Sequence, residues 1–167
     1  MGLLQSHRAE SVGYDLAQSR GHKPAELSAK PSLANLLLWK VVYEYDGRFY
    51  VDAVRVGLEP RVYPGDSVER LQLGKHLSWL SENSQQAHDI ERFRWFSSDY
   101  LAIDQTDPLL IVDMRYSMLP NEIEGLWGIR LNPDAANSEH VQYRTQRSAS
   151  RERIDRLLAM LRDSEYP

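Results

Sequence analysis

An Asp-Gly pair at residues 46–47 separates two runs of branched and aromatic residues, and it constrains the fold more than any other feature of the chain. Asp-Gly between such runs is the strongest short-range signal for a β-hairpin with a two-residue turn. The predicted strands are residues 35–45 and 48–56, and the turn sets Tyr45 opposite Arg48. Counting back along both strands gives two further pairs, Tyr43 with Tyr50 and Trp39 with Val54.

Four more segments have the composition of strands, and polar loops separate them. Residues 100–104 and 109–116 predict a second hairpin, and residues 126–131 and 140–146 complete a set of about six strands. Because the strands arrive as hairpins and the helices arrive in separate blocks, the pattern is typical of an α+β fold. We predict one mainly antiparallel sheet of about six strands, with an N-terminal helix, a central helical pair and a C-terminal helix packed on it.

The central and C-terminal helices have recognisable start signals. A capping-box pattern at residues 66–69 predicts a helix that runs toward Ser81. A second central helix follows at residues 84–96, where apolar residues recur at helical spacing. The last helix, residues 148–163, is capped by Ser148 and carries an apolar stripe that should dock on the sheet.

Composition limits the class of protein. The chain has 167 residues, of which 42% are apolar and 26% charged, as in an ordinary globular protein. We predict a single soluble domain over residues 1–167, with the hairpins and their helical insertion within residues 33–146. The net charge of −4 disfavours nucleic acid as a partner, because capture of phosphate backbones needs a basic face. The chain has no cysteine, which excludes disulfides, thiolate metal sites and a cysteine nucleophile.

The five histidines form no metal-ligand pattern. They are scattered, and no two of them are four residues apart on a predicted helix. His88 and Asp89 are adjacent, but adjacent residues on a helix point to different sides. We predict no metal site and no cofactor in this domain.

Asp113 and Arg115 lie two residues apart in the predicted strand 109–116, so their side chains should emerge on the same face. Three roles are open to this pair. It would bind a polar ligand, or the carboxylate would act as a general base with the guanidinium as electrostatic stabiliser. We favour the third role, a structural ion pair that tethers the loop around Pro120.

Large aromatic residues recur along the predicted strands, and they have two interpretations. They would line a concave pocket for a small molecule, with a few polar groups that fix its orientation. They would equally fill the core, because aromatic side chains supply much of the buried area of a small domain. The candidate binding residues are Trp39, Tyr43, Asp113, Arg115, Tyr116 and Trp127.

Four segments carry a resemblance to a known family: NLLLW at 35–39, RFRWF at 92–96, DMRY at 113–116 with LP at 119–120, and LWGI at 126–129. Over nearly its whole length the chain resembles the soluble C-terminal portion of the LexA-regulated, inner-membrane metal-dependent hydrolase family. The resemblance implies several transmembrane helices ahead of this domain, with the metal-binding histidines and any divalent metal in that membrane part. No catalytic residue can be transferred, because the positions that would receive it are not in this sequence.

Within this resemblance, the N-terminal helix at residues 3–20 is of a juxtamembrane type and would follow the last span. A polar, proline-bounded connector at residues 23–32 leads from it to the first strand. The resemblance implies the transmembrane region as the partner of this domain, and whether the first two residues are native stays open. Cations next to a span favour the cytoplasmic side of the inner membrane, and here they are Arg8, Arg20, Lys23 and Lys30.

Three functions are therefore open. The first is a soluble accessory or regulatory domain of a membrane-bound, metal-dependent hydrolase-like protein. The second is a module that binds a small ligand or a protein through an aromatic-lined pocket. The third is a self-contained hydrolase with Asp113 as its base. Substrate and oligomeric state stay undetermined at this stage.

Overall fold

The computed structural model describes residues 2–32, 37–145 and 150–162. Within these residues the chain forms four helices and eight strands, and the predicted α+β class with antiparallel sheets is confirmed. In chain order the elements are α1 (Gly2–Ser19), β1 (Leu27–Pro31), β2 (Leu38–Tyr45), β3 (Arg48–Val56), β4 (Pro60–Glu69), α2 (Leu73–His76), α3 (Gln85–Phe96), β5 (Leu101–Ile103), β6 (Leu110–Asp113), β7 (Trp127–Arg130), β8 (Gln142–Thr145) and α4 (Arg151–Arg162).

The strands form two antiparallel sheets of four strands each, so the predicted single sheet of about six strands is wrong. Sheet A has the order β1-β2-β3-β4 and sheet B has the order β5-β6-β7-β8. Strand β2 is buried on both faces along most of its length. Sheet A therefore needs a covering layer on each side, and the later strands stack on it as a second sheet instead of extending it.

The hairpin of β2 and β3 is confirmed with its predicted register. Tyr45 pairs with Arg48, and the two further pairs are also as predicted. Asp46 has a φ of 52° and Gly47 a φ of 71°, the positive values that a type I′ turn needs at both central positions. Local turn chemistry thus sets the alignment of these two strands.

Two local predictions are wrong, and both concern strands that flank this hairpin. The segment predicted as a connector contains β1, which pairs with β2. Residues 66–69 start no helix, because they continue β4 against β3. Within residues 70–81 the only helix is the single turn α2. The second central helix is confirmed as α3, and Ser84 Oγ accepts a hydrogen bond from Ala87 N at its start.

Four layers stack in the order α1, sheet A, sheet B and α3. The face of sheet A under α1 packs Trp39, Val41, Val54 and Val56 against Ala9. The other face packs on sheet B through Val42, Phe49, Val51, Ala102 and Val112. Beneath α3, the outer face of sheet B buries Ile90, Phe93, Leu101, Ile111 and Ile129.

The C-terminal helix α4 docks on sheet A, but the predicted apolar stripe makes only part of the contact, because Leu157 and Leu161 pack there whereas Ile154 and Leu158 are exposed. Met160 is fully buried against Leu38, Ala53 and Tyr63. Tyr63 Oη also donates to the Met160 carbonyl, at 3.2 Å. Residue 35 at the predicted start of the first strand, residue 146 at the predicted end of the last strand, the predicted cap Ser148 and residue 163 lie outside the described residues.

Candidate functional site

Asp113 and Arg115 form an ion pair at the end of β6. The strand ends at Asp113, earlier than predicted, and the Arg115 side chain folds back onto the carboxylate. Arg115 Nη2 lies 2.7 Å from Asp113 Oδ2, and Arg115 Nε lies 3.0 Å from Oδ1. Asp113 is fully buried, and its hydrogen bonds to the guanidinium raise the pKa of Arg115. Arg115 therefore carries its charge at every physiological pH.

This ion pair holds two elements together, and neither is the Pro120 loop that the sequence analysis favoured. The Trp127 indole Nε1 donates to Asp113 Oδ2 at 3.3 Å, which fixes the first residue of β7. Arg115 Nη2 donates to the Phe96 carbonyl at 2.9 Å, at the last residue of α3. The guanidinium also lies over the Phe96 ring, 5.8 Å from its centroid. The pair thus connects the C-terminal end of α3 to β7.

A surface depression lies between α3 and the strands β7 and β8, and we name it the aromatic groove. Its volume is about 780 Å³. Trp95 is 86% exposed and Tyr143 is 75% exposed, although large aromatic rings are normally buried. The residues that line the aromatic groove are Glu91, Arg92, Phe93, Trp95, Phe96, Trp127 and Tyr143.

Of the six candidate binding residues, Trp127 alone lines this groove. Asp113, Arg115 and Tyr116 contact its lining residues without lining it: the ion pair holds Trp127 and Phe96, and the Tyr116 ring centroid lies 5.2 Å from that of Trp127. The other two, Trp39 and Tyr43, belong to sheet A and face α1. The sequence therefore identified one lining residue and the side chains that support it, and it missed the side chains of α3 and β8 that form most of the groove.

Tyr43 belongs to a separate polar cluster that closes the end of α1. Its hydroxyl lies 3.2 Å from Arg20 Nη1 and 3.0 Å from His22 Nδ1. Arg20 in turn makes two hydrogen bonds of 2.7 and 2.8 Å to the buried carboxylate of Asp52. Burial raises the pKa of Tyr43, and this effect is larger than the lowering by the hydrogen bond from Arg20. Each of these groups has a partner within the cluster, which indicates a role in attaching α1 to sheet A.

Lys40 is a buried titratable residue that the sequence analysis did not single out. It lies on β2, on the face toward sheet B, with its ammonium 2.8 Å from Ser117 Oγ and 2.7 Å from the Glu122 carbonyl. Burial lowers the pKa of Lys40 to about 7, and attraction to Asp113 and Glu122 offsets only part of this effect. The sequence signal for its burial was the position of a lysine between apolar residues of a predicted strand.

Of the adjacent residues His88 and Asp89, His88 is exposed, whereas Asp89 is buried and contacts another segment of the chain. His140 Nδ1 lies 2.8 Å from Asp89 Oδ2, and Val141 N donates to the same oxygen at 3.1 Å. Burial raises the pKa of Asp89, but the hydrogen bonds from His140, Gln85 and Val141 outweigh burial and lower it. Within residues 2–32, 37–145 and 150–162, no group of three or more histidine or carboxylate side chains could hold a metal ion.

Comparisons of the chain with protein-family models, with curated proteins and with solved structures find no match. The family named above therefore stays a proposal based on sequence motifs. Among the residues that the structure describes, no helix has both the length and the apolar character needed to cross a membrane. The geometry of the aromatic groove is thus the main functional observation.

Proposed function

We propose that this chain is the soluble accessory or regulatory C-terminal domain of a membrane-bound, metal-dependent hydrolase-like protein, and that it acts by binding. The motif resemblance supplies the family and the inner membrane, and the cations near the proposed last span supply the cytoplasmic side. The aromatic groove supplies the binding activity. Its occupant in this proposal is a segment of the transmembrane part of the same protein, with any divalent metal held in that part.

The observation that carries the binding role is the exposure of Trp95 and Tyr143 above a fixed aromatic wall. Water contact with apolar surface costs about 25 cal/mol per Å², so a partner that covers two such rings gains several kcal/mol. The opposite wall is already rigid, because Asp113 and Arg115 fix Trp127 and Phe96. Pre-organised aromatic side chains lose little conformational entropy on binding, which is typical of interaction hot spots.

The surroundings of Asp113 argue against the third function, a self-contained hydrolase. Asp113 Oδ1 accepts from the backbone and side chain of Arg115, and Oδ2 accepts from Arg115 and Trp127. A general base needs a lone pair within reach of the substrate proton. This carboxylate is fully buried and surrounded by donors, so its geometry favours a positioning role for the groove wall.

A second candidate function is the binding of a small apolar molecule in the same groove. The volume of about 780 Å³ favours it, since small-molecule sites are usually clefts of roughly 300–1,000 Å³ with mainly apolar walls. The two candidates share the lining residues and differ in the occupant, so one set of variants tests both.

Photo-crosslinking in the full-length protein tests the first candidate. A benzophenone amino acid replaces Tyr143, and the matched control carries it at Trp79, which is exposed but lies outside the groove. We expect a crosslink to the transmembrane part from position 143 and none from position 79. Equal crosslinking from both positions, or none from position 143, would exclude the groove as the contact surface.

Dye binding to the isolated chain tests the second candidate. The fluorescence of 8-anilinonaphthalene-1-sulfonate should rise on binding to wild type and fall severalfold with Trp95→Ser, whereas Trp79→Ser should behave as wild type. Similar fluorescence for all three proteins would show that the groove does not hold small apolar molecules. Sequencing the gene upstream of Leu3 tests the family, which requires several apolar spans with histidines there.

A further inference from the structure

A small recess lies between the strands β1 and β2 and the chain segment that follows β6, and we name it the lysine recess. Its volume is about 20 Å³, which is room for one occupant of about the size of a water molecule. Its polar lining comes mainly from Ser32, Lys40, Arg115 and Ser117. Among the described residues that line it, two are cations and none carries a carboxylate.

Two buried polar groups of the lysine recess have unused hydrogen-bonding capacity. Ser32 is 8% exposed, and its Oγ has no hydrogen-bond partner within residues 2–32, 37–145 and 150–162. Lys40 is 2% exposed, and its ammonium group has three N–H donors, of which two contact Ser117 Oγ and the Glu122 carbonyl. Because buried polar groups without partners are costly, the Ser32 hydroxyl and the third N–H of Lys40 favour an occupant that accepts hydrogen bonds.

Strand pairing puts these two groups side by side. Lys40 pairs with Lys30 in the register of β1 and β2, and Ser32 N donates to the Leu38 carbonyl at 2.8 Å in the same register. Ser32 and Lys40 are therefore diagonal neighbours on the face of sheet A toward sheet B. Lys30 emerges on this face directly opposite Lys40, so two like charges lie close together.

The ammonium group of Lys40 has no carboxylate in contact. Its two hydrogen-bond acceptors are neutral oxygens, and among the described residues neither Lys30 nor Lys40 forms an ion pair. Asp113 and Glu122 attract Lys40 from a greater distance, but each of them already has an arginine as its ion-pair partner. A buried cation without a counter-ion is unfavourable, so an anion beside Lys40 would stabilise the folded state.

We propose that the lysine recess binds one small monovalent anion of about the size of chloride. The anion accepts hydrogen bonds from the Lys40 ammonium group and the Ser32 hydroxyl, and the charge of Lys30 adds to the attraction. Sulfate, phosphate and carboxylate anions are too large for a recess of about 20 Å³. A water molecule would accept the same hydrogen bonds, but it would not neutralise the ammonium group.

The anion binds the charged form of Lys40, so its affinity depends on pH. Burial lowers the pKa of Lys40 to about 7, and the groups that face it are Lys30, Asp113, Arg115 and Glu122. Binding is therefore strongest below pH 7, and bound anion raises this pKa. At pH 9 about one Lys40 side chain in 100 is charged without the anion, so the affinity should fall about 100-fold.

Chlorine NMR of sodium chloride with the whole chain at pH 6 tests the site directly. We expect the protein to broaden the chloride signal, and bromide but not sulfate should remove this broadening. Lys40→Met should abolish the broadening and Ser32→Ala should weaken the affinity severalfold. Lys75→Met is the matched control, because Lys75 is exposed and paired with Glu69, and it should behave as wild type. Broadening that is equal in all four proteins would place the chloride elsewhere, and no broadening would mean that the recess holds only water; either result overturns the proposal.

Thermal unfolding gives a second measurement that does not depend on Lys40→Met being folded. At pH 6 and constant ionic strength, 200 mM sodium chloride in place of sodium gluconate should raise the Tm of wild type by roughly 4–7 °C for a dissociation constant of about 10 mM. Ser32→Ala removes a hydroxyl that has no partner, so it should fold, and its Tm should rise much less with chloride. An equal rise in wild type and Ser32→Ala, or the same rise at pH 6 and pH 9, would contradict an anion held by these two side chains.

Discussion

Replacing Lys40 by methionine should change how the stability of this protein depends on pH. The ammonium group of Lys40 is buried between the two sheets, and burial lowers its pKa to about 7 in the folded state. In the unfolded chain an ordinary lysine pKa of about 10.4 applies. Below pH 7 the folded state therefore holds a cation that it disfavours. This penalty decreases as the pH rises from about 7 toward 10.4 and is absent above that range.

The size of the effect follows from the pKa difference. Each pKa unit corresponds to about 1.36 kcal/mol, so the full penalty below pH 7 is about 5 kcal/mol. Between pH 7.5 and 9.5 the unfolded state binds about one proton more than the folded state, and the stability should rise by nearly 3 kcal/mol. Lys40→Met also removes the donor to the Glu122 carbonyl, which costs about 1–3 kcal/mol at every pH. The slope with pH, and not the stability at one pH, is therefore the informative quantity.

Urea unfolding of wild type and Lys40→Met at pH 7.5, 8.5 and 9.5 measures this slope. Tyrosines with raised pKa values, Tyr43 and Tyr100, would destabilise the folded state only above about pH 10, so the series ends before that. Lys75→Met is the matched control, because Lys75 is an exposed lysine paired with Glu69. The free energy of unfolding of wild type and Lys75→Met should rise with pH relative to Lys40→Met. Parallel curves for all three proteins would refute the reasoning.

Three further substitutions test packing and ion pairs. Gly65→Ala should lower the free energy of unfolding, measured in urea, by more than 3 kcal/mol, because a Cβ at this position would lie 2.2 Å from the Val51 carbonyl oxygen. Its control is Gly74→Ala, which has open space around it and should be neutral or slightly stabilising. Arg20→Met should lower the free energy of unfolding by about 3–5 kcal/mol, since it leaves the buried carboxylate of Asp52 without its cation. The amides of α1 should also exchange faster with solvent deuterium, and unchanged exchange would contradict this. Asp113→Asn should lower stability by about 2–4 kcal/mol and weaken dye binding in the groove while the fold persists; a stable variant with normal dye binding would exclude the positioning role.

The register of the β2–β3 hairpin was predictable because its determinants are local. A two-residue Asp-Gly turn fixes which residues face each other, and both positions adopt the required positive φ. The division into two sheets was not predictable in this way. Periodicity tells which side chains share a face of a strand, but it does not tell which strands pair or stack. The capping-box pattern at residues 66–69 also occurs in a strand, where pairing with β3 outweighs the local helix signal.

The candidate site was predictable only in part, for the same reason. Asp113, Arg115 and Tyr116 are close in sequence at the end of β6, and the pairing of β6 with β7 brings Trp127 beside them. Trp39 and Tyr43 have the same residue types but lie on the face of sheet A under α1. The burial of Lys40 could not be predicted, because a charged residue within a strand normally lies on the solvent face, whereas both faces of β2 are covered.

Because each sheet is built from consecutive strands, the molecule is modular along its sequence. Sheet A and α1 come from residues 2–69, whereas α3 and sheet B come from residues 85–145 and carry the aromatic groove. Substitutions under α1 and substitutions in the aromatic groove share no contact, so their free-energy effects should add. The outer face of one sheet can therefore diverge in sequence with little cost to the other, whereas an insertion within residues 71–77 would disturb sheet B, because Leu71 and Leu77 are buried in the core under α3.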